Sequence, residues 1–167
     1  KKDEYIFLTA HYDHLGIRDG KVYNGADDDG SGTVALIAMA NAFQNAKVKG
    51  EGPRRTVVFM AFSGEEKGLW GSEYFSENPF VPLDKISVNL NTDMIGRVDT
   101  ERKSEDTLNY IYIVGHDKIS SDLPLVSEEV NRRYTGLNFD YKFDNPEDPY
   151  RIYFRSDHYN FAKKGVP

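Results

Sequence analysis

The stretch Asn24-Gly25-Ala26-Asp27-Asp28-Asp29-Gly30-Ser31-Gly32 sets three adjacent carboxylates between glycines. Neighbouring carboxylates repel one another, so an ordered Asp triplet points to a cation, a helix N-terminus, or both. Glycines on either side allow φ > 0 and a close backbone approach to a bound ion. The plainer alternative is a solvated Asp-Gly turn. A calcium loop of the EF-hand type fits poorly, because Asp27, Asp28 and Asp29 are contiguous and lack alternate spacing with a terminal Glu. Further along, His11-Tyr12-Asp13 has metal-ligand logic, since Asp13 could accept the second ring N–H of His11 and fix its tautomer. Glu65-Glu66 could divide metal binding and proton transfer between them, or simply form an acidic first helical turn. Asp93 and His158 complete the set of candidates.

The elements that must position these residues are short and alternate in type. Tyr5 to Ala10 is a nearly continuous apolar run of β formers, as in a strand buried on both faces, and it ends at His11. Gly16 to Tyr23 reads as a loop or small hairpin. Thr33 to Phe43 predicts a well-buried helix, with Ser31 as its N-cap. Thr56 to Phe62 is the strongest strand signal and runs into Glu65-Glu66. Leu69 to Phe75 reads as helical, with Trp70, Tyr74 and Phe75 assigned to the core. A third strand, Ile86 to Thr92, delivers Asp93. Thr100 to Thr107 is an exposed loop without chemistry, and Asn109 to Val114 a fourth strand. His116 has no acidic companion motif and is assigned a surface or capping role. Leu123 to Tyr134 is an amphipathic helix, Asn138 to Phe143 a short strand, and Asp144 to Pro149 a loop of the kind that borders active sites. Ser156 or Asp157 caps a short helix that ends at Gly165, with His158 in its first turn. Strands alternating with helices, with polar residues at strand carboxyl ends, define an α/β fold. The expected architecture is an open, mostly parallel (mixed) central β-sheet flanked by helices, with the site along that edge.

The chain has 167 residues, which suits a single domain. A net charge of −6 and a pI of about 5.2 argue against nucleic acid or an anionic membrane as a partner. Cysteine is absent, which excludes disulfides and thiolate ligands. No apolar run approaches the ~18 residues of a transmembrane helix, and no signal peptide opens the chain. Lys1 leads almost at once into a strand and Gly165-Val166-Pro167 stops where another would begin, so the expectation is a segment of a longer polypeptide.

Taken in order, His11-x-Asp13, Gly25 to Gly32, Glu65-Glu66, Asn91-Thr92-Asp93-Met94-Ile95-Gly96 and Ser156-Asp157-His158 resemble the M28 family of zinc metallopeptidases, from Tyr5 to Pro167. The resemblance implies the zinc-peptidase fold and one metallopeptidase catalytic domain over residues 1–167. It implies two zinc ions bridged by Asp28, one completed by His11 and Asp93 and the other by Glu66 and His158. Glu65 would be the general base and Asp13 the orienting partner of His11. It implies a cis Asp28–Asp29 peptide bond, a peptide substrate, and an extracytoplasmic location. The reaction it implies is peptide-bond hydrolysis by a metal-bound hydroxide, with release of N-terminal residues.

Elementary electrostatics agrees with that assignment. Two zinc ions about 3.5–4 Å apart need negative charge between and around them. Asp28, Glu66, Asp93 and a bridging hydroxide balance four positive charges. All donors are nitrogen or oxygen, which suits zinc and tolerates cobalt or manganese. Rival readings are a single-zinc glutaminyl cyclase-like acyltransferase, a carboxypeptidase of the same scaffold, a receptor-like non-catalytic relative, and a calcium-stabilised binding domain. The nitrogen ligands His11 and His158 count against the last. Trp70, Tyr150 and Tyr153 are candidates for a side-chain pocket, and Tyr153 or Arg155 for assisting an oxyanion. The sequence leaves the oligomeric state open.

Overall fold

A computed structural model describes residues 1–103 and 108–167 and divides them into two compact units, Lys1–Gly96 with Ser156–Val166 and Arg97–Arg155 with Pro167. In the first unit β1 (Tyr5–His11) is followed by a hairpin of β2 (Gly16–Arg18) and β3 (Lys21–Tyr23), then by α1 (Gly30–Val48). Next come β4 (Thr56–Phe62), a 3₁₀ turn at Glu65–Lys67, α2 (Trp70–Glu77) and β5 (Ile86–Asn91).

Strands β4, β1 and β5 form a three-stranded parallel sheet in that order, with β1 in the centre. Parallel strands need both faces covered, and the sequence supplies apolar residues for both. Phe7 turns to one face, among Phe62, Phe75, Val81, Ile86, Phe161 and Val166. Leu8 and Ala10 turn to the other, against Leu36, Met39 and Phe43 of α1. The first face is largely aromatic: ring centroids of Phe7 and Phe161 both lie within 5.8 Å of each other and of Phe75. Burying each such ring contributes roughly 1.5–3 kcal/mol, so this face anchors the sheet. Because the strands are parallel, the residues that follow them leave from one edge. His11 ends β1 opposite Phe62, the last residue of β4.

Several expectations change. The helix after the Asp triplet is longer than the predicted span and is not well buried, since only Gly32 and Leu36 are enclosed while Val34 and Ile37 are exposed. One narrow stripe of it meets the sheet. Asp29, not Ser31, is its N-cap and accepts from the Gly32 N–H at 3.0 Å. Phe75 is core as expected, but Trp70 and Tyr74 are exposed, because α2 turns only one side to the sheet.

In the second unit the predicted fourth strand shortens to β6 (Tyr110–Tyr112), which pairs in parallel with β7 (Asn138–Asp140) and not with the three-stranded sheet. Between them, α3 (Asp122–Val130) continues into a π-helical turn at Asn131–Thr135. The loop read as Thr100 to Thr107 is not simply exposed: Arg102 pairs with Asp140 and stacks 4.0 Å from the Tyr110 ring centroid. Residues 104–107 of that reading lie outside the described residues. The chain then rejoins the first unit in α4 (His158–Ala162), whose N-cap position is Asp157. Neither Ser156 nor Asp157 caps it through a side chain.

Candidate metal centre

The Asp triplet resolves its own repulsion by turning its members different ways. Asp27 is buried and accepts from the Gly96 N–H at 2.7 Å and the Ser31 hydroxyl at 3.0 Å. Asp29 is buried and accepts from three backbone N–H groups, those of His11 (3.2 Å), Gly32 (3.0 Å) and Met94 (3.0 Å). It thereby ties the end of β1, the start of α1 and the segment after β5 together. Two motif glycines allow this close approach. A Cβ on Gly32 would lie 2.4 Å from the Asp29 carboxylate, and one on Gly96 would lie 2.8 Å from Asp27 Oδ1. Asp28, between them, faces the site, and the Asp28–Asp29 peptide bond is cis, as the family resemblance implies.

Around Asp28 the other candidates converge. His11 is almost fully buried, and its Nε2 lies 3.2 Å from Asp28 Oδ1, 3.7 Å from Asp93 Oδ1 and 3.9 Å from Glu65 Oε2. Its Nδ1 donates to the Asp13 carbonyl oxygen at 3.1 Å, and the Asp13 carboxylate stands slightly further off at 3.5 Å. That carboxylate accepts from the Glu65 and Glu66 N–H groups at 3.3 and 3.4 Å. Asp13 thus sets the orientation of His11 and the position of both glutamates.

Asp93 is held from the other side by a chain of hydrogen bonds. Thr9 on β1 donates to Asn91 (2.7 Å), Asn91 to Ser156 (2.8 Å), and Ser156 to Asp93 Oδ2 (2.6 Å). Ser156, read from sequence only as a capping residue, in fact orients a candidate ligand. His158 opens α4 and is near enough to Asp93 for its charge to act on that carboxylate.

Burial sets the electrostatics, and the mutual field of the carboxylates modifies it. Burial pushes Glu65 up to about 8, with Asp93, Asp157 and Glu66 adding to the rise and His11 opposing it. Burial also raises Asp28, helped by Glu66 and Asp93. Asp29 and Asp157 are each raised to about 6, again chiefly by burial. For His11 burial works downward, but Asp93, Glu65 and Asp29 overcome it and raise the imidazole to about 10. Asp93 ends below its ordinary value despite burial, because His11 and Ser156 favour its charged form.

Whether a cation suits these residues is tested by their unpaired atoms. His11 Nε2, His14 Nδ1 and Glu66 Oε1 are buried without a hydrogen-bond partner. Such atoms cost about 1–3 kcal/mol each when nothing satisfies them. Donor atoms around a tetrahedral zinc sit about 3.3 Å apart, given bond lengths near 2.0–2.2 Å. The separations of 3.2 and 3.7 Å around His11 match that spacing. Two groups of ligand type gather here, His11 with Asp29 and Asp93, and His14 with Asp28 and Glu66. Asp29 is committed to backbone amides, which leaves Asp28 as the carboxylate facing both imidazoles. The donors fit a borderline-soft divalent ion.

Tyr150, Tyr153 and Arg155 belong to the second unit, and Trp70 is exposed at the start of α2. His116 does have acidic companions: Nδ1 is 3.2 Å from Asp144 Oδ2, with Asp117 close by. The cation there is Lys118, whose Nζ is 3.0 Å from Asp117 and 3.7 Å from Asp144. His14 and Asp29 were missed as site residues.

Parallel strands that carry imidazoles and carboxylates to one sheet edge define an α/β protein with metal-ligating residue types gathered there. The chain belongs to peptidase family M28, whose family model matches residues 1–167. It is 33% identical over 110 residues to aminopeptidase YwaD of Bacillus subtilis, covering 65% of this chain and 22% of that protein. To leucine aminopeptidase 2 of Arthroderma otae it is 31% identical over 166 residues, covering 97% of this chain and 29% of the relative. A probable zinc metalloprotease of Pyrenophora tritici-repentis is 30% identical over 110 residues, covering 64% of this chain and 24% of the relative. The chain therefore spans under a third of the length of these curated relatives. Two solved structures share the fold at 20% identity. An aminopeptidase from Aneurinibacillus sp. strain AM-1 matches with a TM-score of 0.66 over 99% of this chain and 34% of its own. Porphyromonas gingivalis glutaminyl cyclase matches with 0.61 over 100% of this chain and 58% of its own.

Proposed function

We propose that this chain carries a two-zinc centre and hydrolyses peptide bonds, removing residues from the N-terminus of its substrate. The observation that carries the proposal is the position of Asp28, with one carboxylate oxygen toward His11 and the other toward the His14–Glu66 pair. The relatives named as aminopeptidases support the reaction, and the relative named as a probable zinc metalloprotease supports the metal. In this reading His11 and Asp93 would hold one ion and Glu66 and His158 the other, with Asp28 contributing a carboxylate oxygen to each. Zinc supplies Lewis acidity, polarising the scissile carbonyl and making water a nucleophile near neutral pH.

The chain's own residues do the rest. Glu65 faces His11 Nε2 at 3.9 Å yet belongs to neither donor group. From that position its carboxylate would take a proton from water and return it to the leaving amine. Asp13 holds the backbone of that glutamate and the ring of His11 in one piece. Ser156 and Asn91 keep Asp93 from rotating away.

The test is hydrolysis of a panel of aminoacyl p-nitroanilides by the chain, after chelation and after zinc is restored. The proposal expects cleavage that needs zinc and a free substrate α-amine. No cleavage of any member by the zinc-loaded chain would overturn it, as would equal cleavage of N-acetylated analogues.

A further inference from the structure

We propose that His14 is a further nitrogen donor to the ion held by Asp28 and Glu66, binding it through Nδ1. This inference rests on the metal centre proposed above and adds a ligand that the family resemblance does not assign.

His14 Nδ1 lies 2.6 Å from Glu66 Oε1 and 3.9 Å from Asp28 Oδ2. The two atoms of the closer pair are both buried, and at 2.6 Å they still lack the alignment of a hydrogen bond. With Asp28 they bring three ligand-type atoms within 4.8 Å of one another, close enough to be donors to one ion. The two separations from His14 Nδ1, 2.6 and 3.9 Å, bracket the edge length of about 3.3 Å expected around zinc. Imidazole Nδ1 is an ordinary zinc donor.

The placement is built into the chain on both sides of the imidazole. His14 follows His11 by three residues in the segment leaving β1, so one short run offers an imidazole to each oxygen of Asp28. Opposite it stands Gly25, at φ 66°, where a Cβ would lie 2.5 Å from His14 Cβ and 2.7 Å from its Cγ. Any side chain at position 25 would collide with His14 in its present place. The glycine that introduces the Asp triplet therefore seats His14 directly.

A histidine that merely positioned Glu66 by a hydrogen bond could be replaced by glutamine without changing the donor set of the ion. A histidine that binds the ion could not. The experiment titrates Co²⁺ into the chelator-treated 167-residue chain, its His14→Gln variant and its His14→Ala variant, following visible d–d absorption and affinity by chelator competition. Far-UV circular dichroism and an unchanged first equivalent report that each variant is folded. The proposal expects both variants to bind one of the two equivalents at least about tenfold more weakly. It also expects the band of that equivalent to shift and change intensity in both. Two equivalents bound with wild-type affinity and spectrum in both variants would overturn the role of His14 and leave the two-metal reading standing. Fewer than two equivalents in the unmodified chain would overturn the two-metal reading itself, and this inference with it.

Discussion

Oδ1 of Asp28 lies 3.2 Å from Nε2 of His11, two buried or half-buried groups of opposite tendency brought together from the end of a strand and the loop before a helix. The other Asp28 oxygen faces His14 at 3.9 Å. A carboxylate so placed serves two positions at once, so Asp28→Ala should weaken both ions, by at least about a hundredfold. Chelator competition checks this. Loss of one equivalent with the other unchanged would show that Asp28 serves a single ion.

Glu65 should matter to turnover and little to metal. Glu65→Gln removes the proton carrier but keeps shape and volume, so kcat should fall by about 10²–10⁴-fold. Zinc content should stay at the unmodified value, because Glu65 lies outside both donor groups. Activity surviving at more than a few per cent of the original would remove Glu65 from the role of base.

Asp29 should matter to the fold even with no metal added. Its carboxylate satisfies the N–H groups of His11, Gly32 and Met94, and Asp29→Ala would leave all three without that acceptor. The expected loss is on the order of 3 kcal/mol or more, read by urea denaturation in the presence of chelator. A loss below about 1 kcal/mol would mean that the clamp is replaceable by water.

Stability should depend on pH in opposite senses to metal. Glu65, raised to about 8, and Asp29 and Asp157, raised to about 6, each keep a proton in the folded chain that the unfolded chain has released. Their contribution therefore falls as pH climbs from about 4 through those values. His11, raised to about 10, favours the folded chain most below its ordinary value of 6.5 and loses that advantage as pH rises toward 10, which is the same direction. The chelator-treated chain should thus melt at a lower temperature at about pH 8.5 than at about pH 5.5. Saturating zinc should remove that fall, because cations replace the protons and bind better as the ligands deprotonate. A chelated chain that becomes more stable over this interval would contradict the reading.

What the sequence made legible follows from which forces act locally. The run Tyr5 to Ala10 announces a parallel central strand because both of its faces are buried, and Phe7 and Leu8 fill opposite ones. The carboxylates at strand ends were visible for the same reason, since the strands stop where the apolar runs stop. The cap of α1 was not legible, because Asp27, Asp28, Asp29 and Ser31 are all capping types. The choice fell to Asp29 through contacts with His11 and Met94, which are distant in the chain. The exposed side of α1 was hidden by a composition rich in Ala, with apolar residues spread around the helix, that does not say which stripe is covered. His116 looked solitary because Asp144 is 28 residues away. His14 had a signal, its spacing from His11, and Gly25 supplied the reason for it only in three dimensions.

The most direct test is zinc per chain, by elemental analysis after exhaustive dialysis against metal-free buffer and reconstitution with zinc. The account built on Asp28 predicts a value near two. A value near one would contradict the bridge and favour a single-zinc centre of the cyclase kind, and a value near zero would contradict the metal centre altogether.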